Sequence, residues 1–244
     1  MDAISISAAS GMKARMESLE LLANNLANVE TGGYKADREF YSLYTSLDAS
    51  PDAQTGDRAT LPVIESHWTD LAQGDFRATG NPLDFAIDGD GLFAVETPRG
   101  TRYTRNGNFR ISSTGVLTTS DGSAVRAKGG GQIHVAADAP FEVKPDGTVR
   151  QGGQNTGQLE LVGFAPGSIN KEGSNYWNPL AGAARQPAKG SLLQGKLESS
   201  NVGGPESAVR LVAILRQFEM LQKAMSIGND LNKRAIDEVA RVQS

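Results

Sequence analysis

The stretch LLANNLANVETGGYK, residues 21–35, sets three asparagines beside a row of apolar residues. Asn24, Asn25 and Asn28 stand where a helix is expected, although asparagine is a poor helix former that usually occupies caps and turns. The two glycines that follow readily adopt the left-handed conformation that closes helices. The stretch therefore predicts the end of a helix that covers roughly Ile4 to Val29, with amides along one of its faces.

Apolar residues form a narrow stripe in this helix and in a second helical segment near the other end, roughly Pro205 to Val242. Spacings of three and four residues in both segments are typical of the a and d positions of a coiled coil. Each helix could instead pack on its own domain, but we predict that the two helices pair as a coiled coil. The predicted seam residues are Leu19, Leu22, Leu26 and Val29 in the first segment, and Leu211, Ile214, Phe218, Leu221 and Met225 in the second.

Between the helical segments, short apolar runs alternate with glycine, asparagine and aspartate. LDFAIDGDGLFAV, RYTRNGNFRI and FEVKPDGTVRQ each contain turn residues flanked by residues that favour strands, and Asn106-Gly107 is a strong hairpin signal. These patterns predict an antiparallel β domain and an α+β fold class. We predict five segments: 1–35 N-terminal helix and motif, 36–80 linker or extended segment, 81–165 antiparallel β domain, 166–204 return segment with little regular structure, and 205–244 C-terminal helix.

Composition excludes several classes of protein. The 244 residues carry a formal net charge of −4 and a pI near 5.3, without the clustered basic residues of a nucleic-acid-binding surface. There is no cysteine, which excludes disulfide and thiolate chemistry. A secretory leader pattern is missing, and no apolar run approaches the roughly 20 residues of a membrane span. On these rules alone we would expect a soluble, cytoplasmic protein.

Catalytic and metal-binding patterns are weak. His67 and His134 are far apart in sequence and lack ligand spacing. The DGDG sequence at 88–91 lacks the first carboxylate and the final glutamate of a calcium loop, so it predicts a hairpin turn. The glycine-rich 128–132 lacks the Lys-Ser or Lys-Thr pair of a phosphate loop. We predict no enzyme, no metal and no cofactor. A hydrolase that uses buried carboxylates and a secreted β-rich binding module remain as alternatives.

Several motifs resemble those of the flagellar rod–hook family of axial proteins, in the family's order and over nearly the whole chain. The family's N-terminal signature is a helix that ends in ANNLAN, followed by Thr, Gly and an aromatic-basic pair. The matching residues here are Ala23 to Asn28, Thr31, Gly33, Tyr34 and Lys35, with TGNPLDFAIDGDGLFAV at 79–95, YTRNGNF at 103–109 and LESSNV at 197–202.

Within that family the chain is more similar to proximal-rod members than to distal-rod members. Distal-rod members usually carry an additional stretch between the N-terminal motif and the β domain, and here that connection is short. Their C-terminal helices tend to read Q-R-A-Y, whereas this chain has Arg216-Gln217-Phe218. A distal-rod protein remains the alternative.

The resemblance implies a noncatalytic subunit of the periplasmic drive shaft of the flagellum. Such proteins leave through the flagellar type III export channel without a cleaved signal peptide, and this expectation replaces the cytoplasmic one. The terminal helices would form an inner tube with the β domain outside. The implied partners are copies of itself and other rod proteins, with the export gate during transit and a capping protein during assembly. Nucleic acid binding and membrane insertion are not implied.

With this resemblance, we predict that the side-chain amides of Asn24, Asn25 and Asn28 make contacts in assembly. Directional hydrogen bonds resist shear in a torque-carrying rod, and side-chain amides supply both donors and acceptors. The alternative is that Asn28 caps the helix end while the other two amides are solvated. We also predict that both termini are partly disordered in the free monomer and fold on assembly. The predicted assembly contacts are Asn24, Asn25, Asn28, Thr31, Gly33, Tyr34 and Lys35.

Overall fold

A computed structural model of the chain describes residues 3–45, 60–136 and 139–242. It divides the chain into two compact units. The helical unit comprises Met1–Ala27, Asp37–Trp68 and Gly203–Ser244, and the β unit comprises Asn28–Ala36 and Thr69–Val202. Each unit is discontinuous in sequence, so segments remote along the chain lie together within it.

The helical unit contains two long helices, α1 (Ala3–Ala27) and α2 (Gly204–Val242), and two strands, β1 (Asp37–Thr45) and β2 (Thr60–Thr69), which pair with each other. The observed helix bounds agree with the predicted segments to within two residues. Val29 of the predicted seam lies just beyond α1, because the helix ends where the following residues turn. Helix ends commonly shift by this amount.

Helices α1 and α2 pack against each other. At the contact, a side chain added at Gly11 of α1 would lie 3.7 Å from Leu221 of α2. Glu39 on β1 joins both helices, because Ser18 donates a 2.7 Å hydrogen bond to its carboxylate and Arg210 lies 3.7 Å from it. The α+β class is therefore observed, while the coiled-coil geometry of the helix pair stays a prediction.

Burial along α2 follows the predicted stripe. Ile214 is buried, the other four seam positions are half-buried, and every residue between them from 211 to 225 is exposed. In α1, Leu22 is buried and Leu19 and Leu26 are half-buried, but the buried line also includes polar Ser18 and Asn25. The amide-bearing face of α1 is thus partly internal to the helical unit.

The β unit contains sixteen strands among its described residues, arranged in four sheets. The largest has the order β14-β15-β6-β5-β9-β8-β7, with β13 paired to β5 and β16 paired to β13. Smaller sheets are β10-β11-β12, β17-β4 and β18-β3, and every pairing is antiparallel. The strands are β3 (Phe76–Ala78), β4 (Phe85–Asp88), β5 (Leu92–Thr97), β6 (Gly100–Thr104), β7 (Phe109–Ile111), β8 (Leu117–Thr119), β9 (Ala124–Val125), β10 (Phe141–Val143), β11 (Thr148–Gln151), β12 (Gln154–Gln158), β13 (Leu161–Gly163), β14 (Ile169–Glu172), β15 (Tyr176–Pro179), β16 (Gln186–Pro187), β17 (Ser191–Gln194) and β18 (Lys196–Glu198).

The expectation of little regular structure in 166–204 is wrong. That segment contributes β14 to β18, of which β17 pairs with β4 and β18 with β3. Those partners lie about a hundred residues earlier, and a local pattern does not reveal such distant pairing. Within the linker or extended segment predicted at 36–80, residues 46–59 lie outside the described residues, and the flanking residues form β1 and β2.

Two turns predicted as hairpins join strands that pair elsewhere. The DGDG turn connects β4 to β5, but β4 pairs with β17. Asn106-Gly107 connects β6 to β7, but β7 pairs with β8. Gly107 lies against the backbone of Phe85, where an added side chain would come within 1.8 Å of the Phe85 carbonyl oxygen. The glycine therefore serves a close backbone approach. The hairpin at Pro145-Asp146-Gly147 does form, between β10 and β11.

The core of the β unit lies between these strands. Phe93 packs edge-on against Phe109 with ring centroids 5.0 Å apart, and Phe85 lies beside Phe109. A smaller cluster includes Tyr103, Trp177 and Val162. No helix among the described residues has an apolar stretch of the length needed to cross a bilayer.

Candidate functional site

Three sequence motifs that lie far apart in the chain meet at one point of the β unit. The segment after α1 carries Gly33, whose N–H donates a 2.8 Å hydrogen bond to the carbonyl oxygen of Glu198 in β18. The N–H of Asn201, just after β18, donates in turn to the carbonyl of Tyr34 at 3.3 Å. The turn after β6 supplies Arg105. We call the cluster formed by Gly33, Tyr34, Lys35, Arg105, Glu198 and Asn201 the motif junction.

A buried ion triad lies at the centre of the motif junction. The Glu198 carboxylate accepts a 2.6 Å hydrogen bond from Lys35 Nζ through one oxygen and a 2.5 Å hydrogen bond from Arg105 Nε through the other. The three side chains are 0%, 3% and 5% exposed in that order. Burial lowers the pKa of Lys35, and the attraction of Glu198 opposes this shift. Charges buried this deeply stabilise a fold only when they are paired.

Arg105 also holds the DGDG turn. Its terminal nitrogens donate to the carbonyl oxygens of Ile87, Gly89 and Gly91 at 2.5 to 2.8 Å. A planar guanidinium with five donors suits such a fan of acceptors. The carbonyl groups of the DGDG turn therefore face the guanidinium of Arg105.

Tyr34 and Gly33 fix the segment that follows α1. The Tyr34 ring is fully buried, and Lys171 Nζ lies 3.7 Å from its centroid while donating to the Lys35 carbonyl at 2.8 Å. Gly33 has φ of 67° and an added side chain would come within 2.5 Å of the Arg105 carbonyl carbon. Glycine is therefore required here for both conformation and space.

The side chain of Asn201 joins the segment that follows α1 to residues 70–72. Its Oδ1 accepts from Ala36 N at 2.8 Å, and its Nδ2 donates to the carbonyls of Asp70 and Ala72 at 2.8 and 3.1 Å. Sequence reasoning missed Asn201, Arg105 and Glu198 as site residues. The available signal was their position inside the motifs YTRNGNF and LESSNV.

The three asparagines of the opening stretch have different surroundings. Within the helical unit, buried Asn25 bonds both backbone groups of Asp37: its Nδ2 donates to the carbonyl at 2.8 Å, and its Oδ1 accepts from the N–H at 3.0 Å. Asn28, in the β unit, accepts from Thr31 through its backbone oxygen at 3.1 Å and its side-chain oxygen at 3.2 Å. Asn24 is exposed.

The motif junction is suited to holding segments together. Its donors and acceptors are directed at one another and at backbone groups. His67 and His134 are both exposed and belong to different units. In the parts of the chain that the structure describes, no three His, Cys, Asp or Glu side chains cluster as metal ligands.

Comparison with known proteins identifies the sequences to which this chain is similar. Three family models match: "Flagella basal body rod protein" at residues 7–35, "Flagellar hook protein FlgE/F/G D1 domain" at 86–151 and "Flagellar basal body rod FlgEFG protein C-terminal" at 193–238. These ranges contain Lys35, Arg105 and Glu198, one member of the ion triad in each.

Curated relatives are similar over almost their full lengths. The flagellar basal-body rod protein FlgF of Caulobacter vibrioides is 33% identical over 233 residues, which cover 92% of each chain. FlgG of Bacillus subtilis is 33% identical over 254 residues, with 93% of this chain and 96% of FlgG covered. FlgG of Caulobacter vibrioides is 31% identical over 249 residues, with 92% and 94% covered.

Proposed function

Because the chain belongs to the flagellar basal-body rod protein family, it is a structural subunit of the flagellar rod, and we propose that it is a proximal-rod subunit. The alignments with both FlgG proteins are longer than this chain of 244 residues, although they leave part of it uncovered. FlgG therefore contains residues that this chain lacks. The alignment with FlgF of Caulobacter vibrioides is shorter, at 233 residues. This difference supports the proximal type, since percentage identity does not separate the two, and a distal-rod subunit is the alternative.

One observation carries the assembly role: α2 has two apolar stripes, and only one of them faces α1. The second stripe recurs at spacings of 11, 7 and 4 residues, which keep its members on one line of a helix with about 3.6 residues per turn. That line is nearly opposite the seam. Exposure of its members reaches 72% at Val209 and 63% at Met220. The outer stripe consists of Val209, Met220, Ile227 and Leu231.

We assign the outer stripe to contact with a neighbouring axial subunit. A helix that is apolar on two sides gains stability when its second side is covered, at about 25 cal/mol per Å² of apolar surface. Head-to-tail contacts of this heterologous kind produce open helical filaments. The occupant is a second copy or another rod protein, since family membership supplies such neighbours.

Substitution on the outer stripe tests this role. Met220→Glu places a charge on the stripe, and Ser226→Glu introduces the same residue at an exposed position that lies on neither stripe. We expect Met220→Glu to abolish rod assembly and motility when it replaces the chromosomal copy, whereas Ser226→Glu leaves both intact. Motility agar and electron microscopy of basal bodies provide the measurements. Normal rods with Met220→Glu would contradict the proposal, provided that both variants show wild-type folded stability.

The helix pairing, the location of the subunit and its export route are also proposals. We propose that the paired helices form a coiled coil, that the subunit lies in the periplasm, and that it leaves through the flagellar type III channel without a cleaved signal peptide. Its partners would be rod proteins on either side, with the export gate during transit. The resemblance of its motifs to those of axial proteins supports these points. The predicted segments 1–35, 36–80, 81–165 and 205–244 are likewise retained as a proposal, whereas 166–204 contributes β14 to β18 to the β unit.

The assembly role of the seven predicted contact residues is also a proposal, and the structure gives these residues different surroundings. Asn24 is exposed and can meet a neighbour directly. Asn25, Tyr34 and Lys35 are buried by their own chain, so they act on assembly through the segment that they hold. Thr31 and Asn28 bond each other in the turn after α1. We propose that the junction residues hold the segment that follows α1 in place within the β unit.

A further inference from the structure

A half-open cavity of about 500 Å³ lies beside the ion triad in the β unit. Its walls are the segments 71–73, 89–92 and 162–166, and Lys35 and Arg105 form part of its lining. Cavities of this size are in the range that holds a ligand or a peptide side chain with its neighbours. Nothing in the rod role described above uses it.

Two cations contact one carboxylate at the base of the cavity. Lys35 and Arg105 share the carboxylate of Glu198 at a site exposed by 5% or less. Asp70 adds a weaker attraction for Lys35, and its Oδ1 accepts a hydrogen bond from Ala72 N. A buried charge is stable when an opposite charge approaches it closely.

Donors remain at both cations. Among the described residues, Lys35 Nζ has two acceptors, Glu198 and the Ala72 carbonyl, for its three N–H groups. Arg105 has four acceptors for the five N–H groups of its guanidinium. Lys189 adds an exposed cation at the rim, opposed by exposed Asp90. The cavity therefore offers positive charge and hydrogen-bond donors from its base to its rim.

Most of the remaining lining is apolar, with Gln73 and Gln186 as polar exceptions. Leu92 and Val162 are buried in the wall, and Leu71 is 45% exposed at the opening. A ligand that matches this surface has a carboxylate next to an aliphatic group. Within a polymer, a neighbouring chain is held at a local concentration in the millimolar range, so even a weak site of this kind is filled.

We propose that this cavity binds a carboxylate side chain, with an adjacent aliphatic residue, from an extended segment of a neighbouring axial subunit. The proposal rests on the proposed function for the source of the segment. The carboxylate approaches the cations at the base and accepts hydrogen bonds from their remaining N–H groups. The aliphatic neighbour covers Leu71 and the apolar wall.

The test uses the full chain labelled with ¹⁵N and two probe peptides, acetyl-Ala-Leu-Glu-Leu-Ala-amide and its analogue with Gln in place of Glu. We expect the first peptide to shift the amide signals of 71–73, 89–92 and 162–165 with millimolar affinity. The Gln peptide should bind at least about tenfold more weakly, because it lacks the charge that pairs with the cations. Shifts that are absent, that lie elsewhere, or that are equal for both peptides would overturn the proposal.

A charge-reversal pair extends the test without altering the ion triad. Lys189→Glu reverses the charge at the rim of the cavity. It should lower the affinity for the Glu-containing peptide by about two- to fivefold, as expected for an exposed ion pair. Lys144→Glu makes the same change in net charge at an exposed position outside the lining and should leave affinity unchanged. Equal effects of the two variants would count against the cavity. Peptide binding is scored on the isolated chain, and polymerisation is scored separately with Met220→Glu, so the two proposals can fail independently.

Discussion

At the scale of single residues, Glu198 has the largest consequence for the β unit. Within the described part of the chain it is the one carboxylate that contacts both buried cations, and its own backbone also pairs with Gly33. Replacing a buried ion triad by apolar residues is often tolerated, but removing one partner leaves uncompensated charge. The triad thus makes the N-terminal and C-terminal motifs depend on each other.

Glu198→Gln should destabilise the protein by about 3–5 kcal/mol, because the two buried cations then repel each other without an anion between them. Glu172→Gln is the matched control, since Glu172 pairs with Arg99 and Arg102 at the surface. We expect that variant to change stability by less than about 1 kcal/mol. Urea unfolding monitored by tryptophan fluorescence measures both. Similar losses for the two variants would refute the special position of Glu198.

Gly33→Ala should destabilise more than Gly80→Ala. Both glycines have nearly the same positive φ, 67° and 69°, so both substitutions carry the left-handed strain of roughly 1–2 kcal/mol. An added side chain meets the Arg105 backbone at 2.5 Å at position 33, whereas nothing lies within 4 Å at position 80. The difference between the free energies of unfolding of the two variants, obtained from urea unfolding, isolates the steric contribution. We expect this difference to be about 1–3 kcal/mol. Equal free energies would mean that the close approach is relieved at little cost.

At the scale of elements, α1 combines a packing surface with a row of amides. Its buried line includes Ser18 and Asn25, which bond to β1 residues through side-chain atoms. Asn25 satisfies both backbone groups of Asp37, as a neighbouring strand would. The helix therefore accepts a residue of low helix propensity because that residue completes the edge of β1.

Asn25→Ala should destabilise the helical unit by about 1–3 kcal/mol, since the N–H and carbonyl of Asp37 lose their partners. Asn24→Ala should destabilise less than Asn25→Ala, because Asn24 is exposed and alanine favours the helix. Circular dichroism during thermal unfolding measures both effects. If Asn24→Ala nevertheless impairs motility, its amide acts between subunits. Normal motility would instead support the view that this amide is solvated.

At the scale of the whole molecule, the chain crosses between its two units rather than completing one before starting the other. The helical unit takes segments from the beginning, the first third and the end of the chain, and the β unit takes the rest. The motif junction sits in the β unit where residues just after α1 and just before α2 run side by side. Ordering of the helices on assembly, from a partly disordered monomer, stays a prediction.

Local pattern was sufficient for some parts of this architecture. Spacing alone predicts a common face for Leu211, Ile214, Phe218, Leu221 and Met225, and burial along α2 follows it. Their role as a coiled-coil seam stays a prediction. The hairpin at Asp146 was identified because its turn and strands are contiguous. Strands β17 and β18 were missed because their partners lie far back in the chain.

The sequence by itself determined the two helices, the α+β class and, through its motifs, the family. Tertiary structure alone decided that Lys35, Arg105 and Glu198 form one buried triad, and that Asn106-Gly107 serves a close approach to Phe85. It also decided that Asn25 of the opening stretch is internal while Asn24 is exposed. The physical reason is that helix periodicity and turn preferences act within a few residues, whereas burial and ion pairing depend on which distant segments meet.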